Sequence, residues 1–562
     1  MKRNPRSRTG ELLLGALFCV PLHGQAVLSQ NEAAAAANGS EATRWRQDLR
    51  FLAREMPRLH RNLFHAMTRA RFESAVKKLD ESIPRLARHQ IIVEMARIAA
   101  SVGDGHTNIA PTRDPKIGFR AYPVRLYLFK DGLYVRGAAR ECADLVGARV
   151  VRIGNAPWER AYDAVREIIG RDNEMDVKFF APFLLAMPEV LHALGLVDDM
   201  ESAPFVVESR GQRKVADLKP AGPAEMIAPD TDTSWLPRKD WEDARDGARR
   251  PGPLWLKDPT NKFWLEYLPE ARAVYVQFNQ VGNKENETVE AFAERLVALV
   301  ESEPVERLVL DLRLNRGGNG AFNRPLLRGI IQSRKVDRTG RLFAIVGRGT
   351  WSAAQMLVND LERYTNVLFV GEPTGGKANA YGDSRRITLP NSGITVRVST
   401  LWWQQDERDL RPWTAPQIAA DLTFEDYRSN RDPALEAALS YVPGKPLSDL
   451  LKEAVLAGDF RLASDRYGQW RADPVHAYSS AEIEVNGLGY ELLADGRLDA
   501  ALEIFRLNAS AYPQSANVHD SLGEAYLARG DRDNAIRSYE KALSLDPNLS
   551  SAAQALEKLR AR

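Results

Sequence analysis

The chain has 562 residues, too many for one hydrophobic core, and a length of this order predicts about two to four domains. With 44% hydrophobic and 27% charged residues it has the composition of a soluble globular protein. A formal net charge of +2 excludes the polybasic class, so neither a nucleic acid nor a strongly acidic partner is implied.

Lys2, Arg3, Arg6 and Arg8 open the chain, an apolar run follows from Leu12 to Leu22, and small or polar residues (Gly24, Gln25, Ala26) come next. That order predicts a secretory signal peptide over 1–26 and an exported, periplasmic or secreted protein, membrane-associated if the signal is retained. The run is too short to span a bilayer, and no second stretch reaches that length, so no integral span is expected after signal removal. Phe18 is too bulky before Cys19 for a lipoprotein site. Cys142 alone then remains, which rules out an internal disulfide and a thiolate zinc site.

Residues 27–41 are rich in Ala, Asn and Ser and predict a flexible leader. Over 42–112 apolar residues recur at helical steps: Leu49, Leu52, Met56, Leu59 and Leu63, then Phe72, Val76, Leu79 and Ile83, then Ile92, Met95 and Ala99. A helical domain is expected there, ending in the loop Gly103-Asp104-Gly105-His106-Thr107. Over 113–220 the period shortens, with alternation at 124–128, a hairpin signal at Asp131-Gly132, a strand near 150 and a helix from Trp158 to Ile169. This arrangement is similar to a PDZ-like module. Residues 221–262 lack a clear period and read as a connection.

From 263 to 442 strands and helices alternate. Val274–Phe278, Leu308–Leu312, Leu342–Val346 and Val367–Val370 read as strands, with a helix after the first and the third and turn residues after the second, which predicts a sheet with crossover connections. The tail, 443–562, contains a repeat. Gly489 and Gly523, Gly496 and Gly530, Ala501 and Ala535, and Pro513 and Pro547 are each 34 residues apart, the tetratricopeptide (TPR) period. Two repeats bury little surface alone, so the segment from Leu447 to Tyr467 is expected to add a degenerate hairpin.

Ser352 stands at a strand-to-helix junction, after Gly349-Thr350-Trp351 and before Ala353-Ala354. Such a turn exposes a hydroxyl and aims the first amides of a helix at whatever it attacks. Locally, a serine there reads first as a helix N-cap. A serine nucleophile needs a base, and Lys377 and His106 are both candidates. A lysine serves only when burial or a nearby cation depresses its pKa, whereas an imidazole needs little adjustment.

Four motifs occur in order: Gly103-Asp104-Gly105-His106-Thr107; the stretch from Asp311 to Asn319 with its Gly317-Gly318 pair; Thr350-Trp351-Ser352-Ala353-Ala354; and Gly371-Glu372-Pro373-Thr374-Gly375-Gly376-Lys377. Together they resemble peptidase family S41, the C-terminal processing or tail-specific proteases and their tricorn-core relatives, over roughly 45–440. The resemblance implies an α+β multi-domain protein: an N-terminal helical domain, a PDZ-like module, and an α/β core of ClpP/crotonase type, followed here by the TPR-like tail. It implies a serine-type peptidase that cleaves proteins or peptides through an acyl-enzyme on Ser352. Processing proteases pair the serine with a lysine 25 residues on, the spacing from Ser352 to Lys377. Tricorn-like members use a histidine, whose place His106 takes, and a downstream carboxylate, whose place falls at Leu410 beside Asp409. Tyr381 replaces the glutamine that processing proteases carry four residues past the lysine. The base therefore stays open between Lys377 and His106, with Asp409 as candidate orienting carboxylate. By the same resemblance, amides at Gly317 or Gly318 and at Ala353 form the oxyanion hole. Asp311 and Arg313 read as structural, and Trp402-Trp403 as buried packing, with the lining of a substrate groove as the alternative. No metal or other cofactor is implied. A protein partner for the tail is expected, and the alternative reading is an inactive peptide-binding or TPR scaffold.

Overall fold

The computed structural model describes residues 41–224 and 235–561. The expected signal peptide, and all of the leader but Glu41, lie outside the described residues. Among the described residues no helix is long and apolar enough to cross a membrane.

The core over 263–442 is a six-stranded sheet in the order Phe263–Leu268, Ala273–Phe278, Arg307–Asp311, Leu342–Val346, Leu368–Gly371, Ile418–Ala419. The first pair is antiparallel and the rest are parallel. Side chains alternate between the faces of a strand. Thus Val274, Val276, Leu308, Leu310, Leu342, Ala344 and Phe369 pack under helices Val289–Ser302, Asn323–Gln332 and Ala353–Tyr364. Their neighbours Tyr275, Val309, Phe343, Ile345 and Val370 pack on helix Pro433–Ser440. With both faces covered, the parallel strands carry continuous apolar runs. The loops that follow strands 307–311, 342–346 and 368–371 leave from the carboxyl ends of parallel neighbours, so they converge at one edge. A ligand crevice forms there in open α/β sheets.

Asp311 and Arg313 fix the first of these loops. Arg313 donates to both oxygens of Asp432 (2.9 and 3.0 Å) and to Asp311 (3.0 Å), and the Tyr275 hydroxyl donates to Asp311 (2.7 Å).

Helices Glu41–Leu59, Arg69–Ser82 and Arg88–Ala100 share one apolar core with an antiparallel sheet. Its main path runs Val124–Phe129, Gly132–Ala139, Arg149–Ile153, Ala203–Ser209, Gln212–Leu218. Ile387, Leu389, Ile394, Val396 and Val398 join the same core from the hairpin Arg385–Thr388/Thr395–Val398. A hairpin from the 263–442 segment thereby completes the N-terminal core. Between strands 149–153 and 203–209 lie helices Trp158–Arg166, Glu174–Leu184 and Pro188–Ala193. The segment expected as connection has structure of its own: 222–223 pairs with 120–121, 241–243 pairs with 137–139, and Trp255 is buried.

The tail is a stack of helical hairpins. Leu447–Leu456 pairs with Phe460–Ala472, Glu482–Ala494 with Leu498–Ala511, and Ala516–Ala528 with Arg532–Leu545, and Ser550–Arg560 closes the stack. The repeated glycines have a packing reason. A Cβ at Gly489 would lie 2.5 Å from the Phe505 ring, and one at Gly523 would lie 2.7 Å from the Tyr539 ring. These rings are also 34 residues apart, so one glycine-on-aromatic contact recurs in consecutive repeats.

Candidate active site

Ser352 occupies a backbone conformation with φ 56° and ψ −124°, which a non-glycine residue adopts only when its surroundings enforce it. The enforcement is visible. Trp351 N donates to Asn315 O (3.1 Å), Thr350 Oγ1 donates to Leu312 O (2.9 Å), and Gly349 sits where a Cβ would meet Arg313 O at 2.3 Å. The hydroxyl makes no capping bond to the helix it precedes. It lies 3.1 Å from His106 Nε2, a residue 246 positions earlier in the chain. Ser352 thus stands at the N-cap position, but its oxygen faces an imidazole nitrogen and not the amides of the helix.

His106 is held from two sides. Asp104 Oδ1 accepts the amides of His106 (2.9 Å) and Thr107 (2.7 Å). Asp104 is itself fixed by His60 Nε2 (2.9 Å) and by the Ser399 hydroxyl (2.6 Å). The imidazole stacks on Trp351, with ring centroids 3.8 Å apart. Burial pushes the His106 pKa down, whereas Asp172 and Asp104 pull it up and Arg316 works against them. With the serine hydroxyl donating to Nε2, the ring proton sits on Nδ1, and that buried nitrogen has no partner among the described residues.

Lys377 lines the same cleft of about 860 Å³ as Ser352 and His106. Among the described residues its amine forms no hydrogen bond or ion pair, and the contact to Ser352 Oγ comes from His106 alone. Asp409 is turned elsewhere. Its carboxylate accepts from Arg411 Nε (3.0 Å) and Nη2 (2.7 Å), and Arg411 also binds Glu362. This pair holds the Asp409 carboxyl below its usual range and leaves it outside the residues lining the cleft.

The glycine pair divides its work. The Gly317 amide donates to Asn315 Oδ1 (2.9 Å), so it is already committed. The amides of Gly318 and Ala353 have no protein acceptor among the described residues, and both residues line the cleft beside Ser352. Gly318 has φ 145°, and a Cβ there would lie 2.1 Å from Val281 O. Gly318→Ala must therefore move this loop. The expected result is a folded protein with a lower melting temperature and a loss of about 100- to 1,000-fold in reactivity at Ser352. Unchanged reactivity would assign the oxyanion site elsewhere.

Two features of the site lay outside the sequence reading, and a third corrects it. Asp172 Oδ2 accepts the Trp351 indole N–H (2.7 Å), and Oδ1 accepts the Gly105 amide (3.0 Å). Arg316 lies over the rings of Trp351, Phe179 and Phe180 and reaches Asp176 at 3.4 Å. Trp402 and Trp403, expected to be buried, are 41% and 43% exposed. They belong to a two-stranded ribbon, Ala380–Gly382 with Leu401–Trp403, with which no third strand pairs among the described residues. Trp403 and Leu401 line the cleft that holds Ser352 and His106.

A serine-to-alanine variant of CPAF is similar in structure at 11% identity and TM-score 0.50, covering 72% of this chain and 99% of that one. Mature CPAF with lactacystin gives 13% identity and TM-score 0.49, over 75% and 99%. The photosystem II D1 C-terminal processing protease gives 15% and 0.33, over 70% and 96%. The cellulose synthase operon protein C of Escherichia coli K12 is 25% identical over 174 residues, 29% of this chain. The chain spans only 14% of the length of that curated relative. Residues 516–549 match the tetratricopeptide repeat family model. The structural neighbours of the chain are thus peptidases of family S41, the family its four motifs resemble, with a tetratricopeptide repeat at the C-terminal end.

Proposed function

We propose that this protein is an exported serine peptidase that cleaves polypeptides through an acyl-enzyme on Ser352, with His106 as general base. The observation that carries the reading is the 3.1 Å approach of His106 Nε2 to Ser352 Oγ across a solvent-open cleft. Ser352 Oγ attacks the scissile carbonyl carbon as its proton passes to His106 Nε2. The amides of Gly318 and Ala353 receive the oxyanion. The amine leaves with the proton from His106. Water then attacks the ester, gives its proton to His106, and the serine oxygen recovers it as the carboxylate product departs. Lys377 acts in the wall of the cleft rather than as the base. Asp409 orients nothing in this scheme.

The exposed Trp403 and Leu401 at the cleft suit an extended substrate with large apolar side chains. The antiparallel sheet over 113–220 is assigned the PDZ-like role of holding a peptide by strand addition. The TPR-like tail is assigned a protein partner. A fluorophosphonate probe tests the reading: Ser352-dependent labelling supports a peptidase, and its absence favours the scaffold alternative. Export is tested separately. The mature N-terminus is expected near residue 27, and an intact Met1 in a cytosolic fraction would overturn it.

A further inference from the structure

The downstream carboxylate expected to serve His106 is tied to Arg411, and His106 Nδ1 has no acceptor. A different carboxylate stands where the two catalytic loops meet. Asp172 lines the cleft and holds the residue before each catalytic residue: the amide of Gly105, before His106, and the indole of Trp351, before Ser352. The contacts are tight. A Cβ at Gly105 would lie 2.9 Å from the Trp351 ring and 3.2 Å from Asp176 Oδ2. The adjacent Asn173 caps helix Glu174–Leu184 and also donates to the carbonyls of Thr374 and Gly375 (both 3.1 Å), on the loop that carries Lys377. Asp172 N donates to Asp176 Oδ2 (3.0 Å), and Asp176 faces Arg316, so the carboxylate is itself braced.

We propose that Asp172, contributed by the helical insertion of the N-terminal half, is the positioning residue that clamps base to nucleophile and offsets the imidazolium charge through space. The proposal rests on the peptidase reading above. One carboxylate joins segments 67 and 179 positions away, so its two bonds set the separation of His106 and Ser352. The charged groups around His106 are Asp172, Asp104, Arg316 and Asp383, with Lys377 across the cleft. Among them Asp172 contributes most to favouring the protonated ring.

The test is the rate of Ser352 labelling by a fluorophosphonate probe as a function of pH, on the full chain. Asp172→Asn is expected to lower the plateau rate about 10- to 100-fold. Because the base works when neutral, the rate rises with pH through the His106 pKa. Removing the negative charge lowers that pKa, so the acid limb moves to lower pH by about 1 unit. Asp172→Glu restores the position of the limb. Trp351→Phe keeps the charge and the ring but deletes one bond, so the limb stays while the rate falls about 5-fold; this arm serves even if Asp172→Asn does not fold. A folded Asp172→Asn with the wild-type limb and rate overturns the proposal, as does Trp351→Phe at full rate with no slowing. Wild-type protein without Ser352-dependent labelling instead removes the peptidase reading itself.

Discussion

Ser352→Ala is expected to abolish probe labelling and peptide hydrolysis, with a loss of about 10⁴-fold or more in turnover and an intact fold. The Oγ makes no helix-capping bond, so its removal breaks no structural contact beyond that to His106. Ser352→Gly adds a second readout. The backbone at φ 56° is strained for any side chain, and glycine relieves it. The glycine variant is therefore expected to be as inactive as the alanine variant but about 1 kcal/mol more stable in denaturant melts. A protein that accepts strain at the residue holding the hydroxyl trades stability for reactivity. Full hydrolysis by Ser352→Ala would end the peptidase reading. A glycine variant less stable than the alanine one would show that the conformation is not costly.

His106→Ala should be nearly as severe, about 10³-fold or more, while Lys377→Ala should stay within about 10-fold of wild type. The difference follows from position: His106 Nε2 touches the hydroxyl, and Lys377 shares the cleft without such a contact. Equal tolerance of both changes would leave Ser352 without a base. The pH profile carries the sign. Burial holds the His106 pKa below the usual histidine value of about 6.5. The imidazole is then neutral, and active, at mildly acidic pH, and activity should fall only below that value. The same shift contributes to stability. A depressed folded-state pKa means the unfolded chain binds the proton more readily, so this contribution is present above the unfolded value and is lost as pH falls through the folded one. An acid limb near the lysine range would transfer the role to Lys377.

Much of this was legible in the chain. The runs at 274–278, 308–312 and 342–346 are buried strands because both sheet faces are covered, which demands continuous apolar residues. The 34-residue spacing of Gly489 and Gly523 marks helix crossings that admit no Cβ. The motif around Ser352 stands where a parallel strand ends and a helix begins. These are local or periodic constraints, and each leaves a mark within a few tens of residues.

The choice of base and of its supporting carboxylate left no such mark. Lys377 has the spacing and His106 the contact, and spacing along a chain does not state which side chain reaches an atom across a cleft. Asp172 was invisible for the same reason: nothing in Arg171-Asp172-Asn173 differs from an ordinary helix start. Trp402-Trp403 read as packing because aromatic pairs favour burial, yet a two-stranded ribbon at the cleft has no layer to cover them. Sequence by itself determined the mixed helix-and-sheet class, the candidate serine and the repeat, because backbone geometry and periodic burial constrain neighbours. Only the tertiary structure decided which residues meet, because the contact between positions 106 and 352 is made by folding three distant loops to one edge of the sheet.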